Sequence, residues 1–183
     1  HAQTQSRHDA ISRDDSMRDI LAAYDFLAAR SNVDPDAIAV VGSSYGGYLA
    51  ALLTALRPVN WLALRAPALY KDSEWGVPKL RLRTEQGLEQ YRQQPVRTDE
   101  SKALRACSAF AGDVLIVGSE HDCTIPRQLI VNYREACTSA RSLTHRVIDG
   151  ADHGLSKETW KTAYTVLLVS WFREFVIDAR MSE

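Results

Sequence analysis

Ser44 stands at the centre of Gly42-Ser43-Ser44-Tyr45-Gly46, a G-x-S-x-G pattern that closes the apolar run 38–41. A strand turning sharply into a helix projects the residue at the turn, and glycines two places either side leave room for the chain to pass. The chemistry suited to such a serine is attack on a carbonyl carbon. A neutral hydroxyl is a poor nucleophile, so it needs a general base, and the base needs a carboxylate to fix its tautomer and balance its charge. His153 and Asp122 are the candidates, in the chain order Ser, Asp, His. Asp122 lies in Gly118-Ser-Glu-His-Asp122, after the apolar run 114–117, and His153 lies in Gly150-Ala-Asp-His-Gly154, after 146–148. Asp149 and Asp152 compete with Asp122 for the carboxylate role, but their closeness to His153 suits turn or capping residues. A phosphate cradle is the rival for a glycine turn. A dinucleotide fingerprint would place glycine at 44 and a P-loop would need Gly-Lys-Ser/Thr, and neither is present.

These three residues can meet only if their loops share an edge, as loops at the carboxyl ends of parallel strands do. The hydrophobic pattern predicts that arrangement. Helices are expected at 14–30, 45–56, 101–109, 126–138 and 157–178, and strands at 38–42, 61–65, 113–118 and 143–148. Ser12 and Asp15 form a capping-box pattern ahead of the first helix, whose core face would carry Met17, Ile20, Leu21, Tyr24, Leu27 and Ala28. The last helix would bury Trp160, Tyr164, Leu167, Leu168, Trp171, Phe172 and Phe175. The alternation predicts an α/β fold: a doubly wound, mainly parallel sheet in three α/β/α layers.

With the strand, elbow and helix around Ser44, the loop segments 118–122 and 150–154, and Ile125-Pro126, the chain resembles an α/β-hydrolase. More narrowly, it resembles the branch of dienelactone hydrolases, bacterial acyl esterases and catalytic domains of prolyl-oligopeptidase type. The resemblance implies Ser44 as nucleophile, His153 as general base and acid, Asp122 as orienting carboxylate, and the backbone N–H of Tyr45 as one oxyanion donor. It implies further strands ahead of the nucleophile and a second oxyanion donor, for which residues 1–37 offer no candidate. The chain is therefore read as a single, N-terminally incomplete domain over 1–183, the C-terminal part of such a fold. An open sheet edge would then call for a homo-oligomer or a covering partner. The family places a cap over the acyl pocket where this chain has the short, polar insertion 67–100. Tyr70 and Trp75 in it are candidate substrate contacts, with packing of the lid as the alternative.

The function implied is a serine hydrolase of acyl esters acting on a small-molecule substrate without metal or organic cofactor. A peptidase or amidase of prolyl-oligopeptidase type is the enzymatic alternative, and a catalytically silent scaffold on the same fold is the alternative of another class. Composition agrees with a globular domain: 183 residues, 45% hydrophobic, formal net charge −1. Near-neutral charge without a basic block points away from nucleic acid, and no apolar run reaches membrane-spanning length. Three cysteines without a C-x-x-C pattern argue against a disulfide framework or zinc site and for a cytoplasmic setting. Cys123, beside Asp122, is expected to be a small buried filler.

Overall fold

The computed structural model describes residues 10–73, 75–79, 81–82 and 87–181, with side chains described as far as Glu174. Phe175, expected on the buried face of the last helix, lies outside the described side chains. Among the described residues four strands, β1 (Ala39–Ser43), β2 (Trp61–Arg65), β3 (Asp113–Ser119) and β4 (Ser142–Ile148), form one sheet in the order β1-β2-β3-β4. All three pairings are parallel, with Ser43 level with Arg65 and Arg65 level with Val117. The carboxyl ends of the strands therefore line one edge, as the chemistry requires.

Around the sheet lie the helices α1 (Arg13–Ala28), α2 (Tyr45–Leu53), α3 (Leu88–Arg92), α4 (Lys102–Ala109), α5 (Arg127–Ala136) and α6 (Glu158–Met181), with a 3-10 turn at Thr98–Glu100. Side chains from α1, α2, α4 and α5 pack with Leu62, Leu64, Val114 and Ile116 on one face. Trp160, Tyr164, Leu167, Leu168, Trp171 and Phe172 of α6 cover Trp61, Ala63, Leu115 and Val117 on the other, which completes three layers. Period-two alternation along β2 and β3 sends neighbouring residues into different cores, so 61–64 of β2 and 114–117 of β3 are apolar throughout.

The capping box opens α1 as its sequence requires. The Asp15 N–H donates to Ser12 Oγ at 3.1 Å, and the Ser12 N–H donates to Asp15 Oδ2 at 3.0 Å. Met17 and Tyr24 are buried and Ile20, Leu21 and Ala28 pack against the core, but Leu27 is 47% exposed and falls outside the inward stripe. Arg13, one helical turn before Met17 and on the same face, is fully buried despite its charge. Its guanidinium donates to the Lys71 carbonyl at 2.6 Å, to the Ser73 carbonyl, and to Tyr48 Oη at 3.3 Å, and it lies 5.0 Å from the Trp75 ring centroid. These bonds tie the start of the 67–100 segment to α1.

That segment is less polar in structure than in sequence. Leu69, Tyr70, Leu82 and Leu88 are buried in the larger core, and α3 and the 3-10 turn form within it, so it is a packed part of the domain. Among its described residues Lys71, Lys79, Arg81, Glu89 and Arg97 lie on the outside, an arrangement that composition alone cannot separate from an exposed lid. β1 has a hydrogen-bonded neighbour on one side only among the described residues, and its Val41 is 48% exposed. Among these residues no helix is long and apolar enough to cross a membrane, and no group of three or more His, Cys, Asp or Glu residues could hold a metal ion.

Candidate active site

Ser44 follows β1 and caps α2 with φ 52° and ψ −117°, a conformation that an L-residue adopts only under constraint from its surroundings. Three bonds hold it there. Its N–H donates to the Arg65 carbonyl at 2.9 Å, while its own carbonyl accepts from Ala68 N–H at 2.9 Å and from Tyr48 N–H at 3.2 Å. Ala66 (φ 41°) and Leu155 (φ 49°) are the other described non-glycine residues with positive φ. One follows β2 and the other follows His153 by two residues, so the strained backbone gathers around a single edge.

The glycines divide their work differently from the simple pattern. A Cβ on Gly42 would meet Gly46 O at 2.4 Å, and one on Gly47 would meet Pro67 at 3.0 Å. A Cβ on Gly46 would meet nothing within 4 Å. The close approach is thus carried by Gly42 from the strand and Gly47 from the helix.

His153 Nε2 lies 3.1 Å from Ser44 Oγ, and His153 Nδ1 lies 2.8 Å from Asp122 Oδ2. The second oxygen of Asp122 accepts the N–H groups of Thr124 at 2.8 Å and Ile125 at 2.7 Å, so both carboxylate oxygens are engaged and its orientation is fixed. The Asp122 side chain is 5% exposed and that of His153 is 25% exposed, leaving the acid enclosed and the imidazole open toward the serine. Asp152 is occupied otherwise. It accepts Ser156 N–H at 3.0 Å and the Ser156 hydroxyl, bonds that hold its carboxyl below the usual range, as suits a turn residue. Asp149 is exposed.

Tyr45 is the first residue of α2, where backbone N–H groups have no helical acceptor. Its side chain leaves the site: the phenol donates to Ser16 Oγ at 3.1 Å, and burial raises its pKa. Tyr70 is 5% exposed, packed edge-on to Tyr45 at 5.7 Å and to Tyr48 at 5.1 Å, with the Arg92 guanidinium 4.9 Å from its ring. Trp75 stacks with Tyr48 and is flanked by Arg13 and Lys102. Lid packing accounts for the contacts of both. A cavity of about 370 Å³ runs along the Asp122 loop, lined by residues that include Leu88, Arg92, Cys123, Thr124 and Pro126. Cys123 is exposed, contrary to the buried filler expected, because the loop turns its side chain outward; Cys107 and Cys137 are the buried thiols.

Arg65 was missed as a site residue. It ends β2 almost wholly buried, and its guanidinium donates to Ser43 Oγ at 2.9 Å, to Ser119 Oγ at 3.3 Å and to the backbone carbonyl of His153. The available signal was a lone charge closing the apolar run Trp61-Leu-Ala-Leu64 at the same edge as the serine.

Residues 7–177 match the sequence model of the prolyl oligopeptidase family. No functionally curated protein matches the chain. Among solved structures, the esterase domain of a Rhodothermus marinus protein shares 16% identity at a TM-score of 0.63, over 86% of this chain and 68% of that one. Est1E from Butyrivibrio proteoclasticus shares 16% at 0.61, over 95% and 73%. The acylaminoacyl peptidase of Pyrococcus horikoshii shares 16% at 0.62, over 87% of this chain and 27% of that one. These likenesses establish the fold as that of an α/β-hydrolase.

Proposed function

The chain belongs to the prolyl oligopeptidase family of α/β-hydrolases, and we propose that it cleaves carboxylic esters through Ser44, His153 and Asp122. The observation that carries the reading is the continuous row from Asp122 Oδ2 through both imidazole nitrogens to Ser44 Oγ, with spacings of 2.8 and 3.1 Å. Ser44 Oγ attacks the ester carbonyl as His153 Nε2 takes its proton. Asp122, held by two backbone N–H groups, keeps Nδ1 protonated and balances the imidazolium. The oxyanion forms beside the first turn of α2, where the N–H of Tyr45 is free to bond it and the helix dipole favours negative charge. Collapse breaks the bond to the leaving oxygen, which receives its proton from His153. Water activated by the same imidazole then cleaves the acyl-enzyme and returns Ser44 to its hydroxyl form.

An ester is preferred to an amide because an alcohol leaves more readily than an amine. It therefore asks less of the single oxyanion donor that can be named. Amide cleavage is the second reading, favoured by the family match and by the likeness to an acylaminoacyl peptidase. Tyr70 offers little surface to a substrate, and the cavity that Trp75 lines with Leu52, Leu56 and Ala106 contains none of the three catalytic candidates.

A fluorophosphonate probe followed by intact mass tests the nucleophile. One adduct on the wild type that is lost in Ser44→Ala and His153→Ala supports the reading. Absence of an adduct, where a control hydrolase is labelled, overturns it in favour of a silent scaffold. Turnover of nitrophenyl esters without aminoacyl anilides selects the esterase, and the converse selects the peptidase.

A further inference from the structure

A buried guanidinium is costly unless its surroundings compensate it, and Arg65 gains no direct carboxylate contact among the described residues. Burial accordingly lowers its pKa, with Asp122 and Asp152 opposing that shift only through their fields. Trp61 and Ala63, on the same face of β2, are buried among apolar side chains, so packing alone would be met by an aliphatic residue. What Arg65 bonds is specific. Ser43 immediately precedes the nucleophile, Ser119 ends the strand leading to the Asp122 loop, and the third acceptor is the carbonyl of His153 itself. The backbone carbonyl of Arg65 also holds the Ser44 N–H at 2.9 Å.

From this geometry we infer that Arg65 is a positioning residue: its guanidinium clamps the backbone of His153 to the strand ends carrying Ser44 and Asp122, so that Nε2 stays aimed at Ser44 Oγ. The inference rests on the acyl-transfer reading above. His153 is then fixed at two points, its ring by Asp122 and its main chain by Arg65. Either hold alone leaves a rotation that moves Nε2 relative to the hydroxyl. A planar fork with several donors can span three acceptors in different directions, which a single ammonium cannot.

The test is the second-order rate of fluorophosphonate labelling and the kcat and KM for a nitrophenyl ester, each normalised to folded protein. Arg65→Met, which keeps an aliphatic stem on the apolar face, is compared with Leu167→Ala in α6 as a destabilised control remote from the triad. Misplacement of a reacting group by about 1 Å costs on the order of 10²-fold in rate. A loss of that order in labelling and kcat is expected for Arg65→Met, with KM nearly unchanged, the Leu167→Ala rate near wild type, and partial recovery of Arg65→Met on adding guanidinium. Wild-type labelling by folded Arg65→Met, or an equal loss in Leu167→Ala, overturns the inference. If Arg65→Met does not fold, Arg65→Lys decides: a kcat loss at constant KM supports the clamp, and wild-type kcat overturns it. If the wild type itself is not labelled, the acyl-transfer reading fails first and the inference falls with it.

Discussion

Gly42 and Gly46 are in backbone contact across the elbow, so close that a methyl group on Gly42 would stand 2.4 Å from the Gly46 carbonyl oxygen, while one on Gly46 would touch nothing. The two glycines look equivalent in G-x-S-x-G, but the steric demand on them is unequal. Gly42→Ala should displace the elbow and abolish fluorophosphonate labelling with a large loss of thermal stability. Gly46→Ala should fold and label, because helix interiors accept alanine in preference to glycine by about 1 kcal/mol. Thermal melts and labelling of the two variants check this directly.

The acid of the site is separable from its neighbour. Asp122→Asn should lower kcat by about 10⁴-fold, since an amide facing Nδ1 stabilises the wrong tautomer. Asp152→Asn should leave kcat near the wild-type value, because that carboxylate holds Ser156 rather than the imidazole. Ester kinetics on the two variants distinguish them, and equal losses would contradict the assignment.

Of the three thiols only Cys123 is exposed. A thiol reagent such as dithiobis-nitrobenzoate should titrate one cysteine rapidly in the folded protein and all three in denaturant, with the fast phase absent from Cys123→Ser. Two fast thiols in the native state would contradict the packing of Cys107 and Cys137.

Arg13 anchors the 67–100 segment by donating to two carbonyls and a phenol oxygen. Arg13→Met should cost about 1–3 kcal/mol for each buried acceptor left unpaired. Denaturant unfolding measures the loss, and limited proteolysis should show earlier cleavage between residues 70 and 80.

The cap of α1 gives a pH dependence of known sign. Hydrogen bonds from the Ser12 side chain and backbone hold the Asp15 carboxyl below its ordinary value of 3.8, and Arg18 adds to the effect. A depressed carboxylate contributes stability that is complete above the unfolded pKa and disappears as pH falls through the folded one. The melting temperatures of wild type and Asp15→Asn should therefore differ at pH 6 and converge below the folded pKa of Asp15.

Ser44, Asp122 and His153 were legible because each sits in a polar, turn-rich loop directly after a short apolar run, and strand and helix periodicities are local properties that sequence records. The order of elements, the parallel sheet and the capping box on Ser12 and Asp15 follow from the same local rules. Burial of polar residues does not, because it depends on acceptors contributed from distant parts of the chain. Arg13 is enclosed by carbonyls some sixty residues away, and Arg65 by groups from two strand ends and the His153 loop. Composition likewise marked 67–100 as a polar cap, whereas Leu69, Leu82 and Leu88 turn inward against helices formed elsewhere. Which groups could react, and the strand ends they would occupy, were written in local pattern. What holds them in line was not, since the alignment of Nε2 on Ser44 Oγ depends on contacts between strand ends and loops distant in the chain.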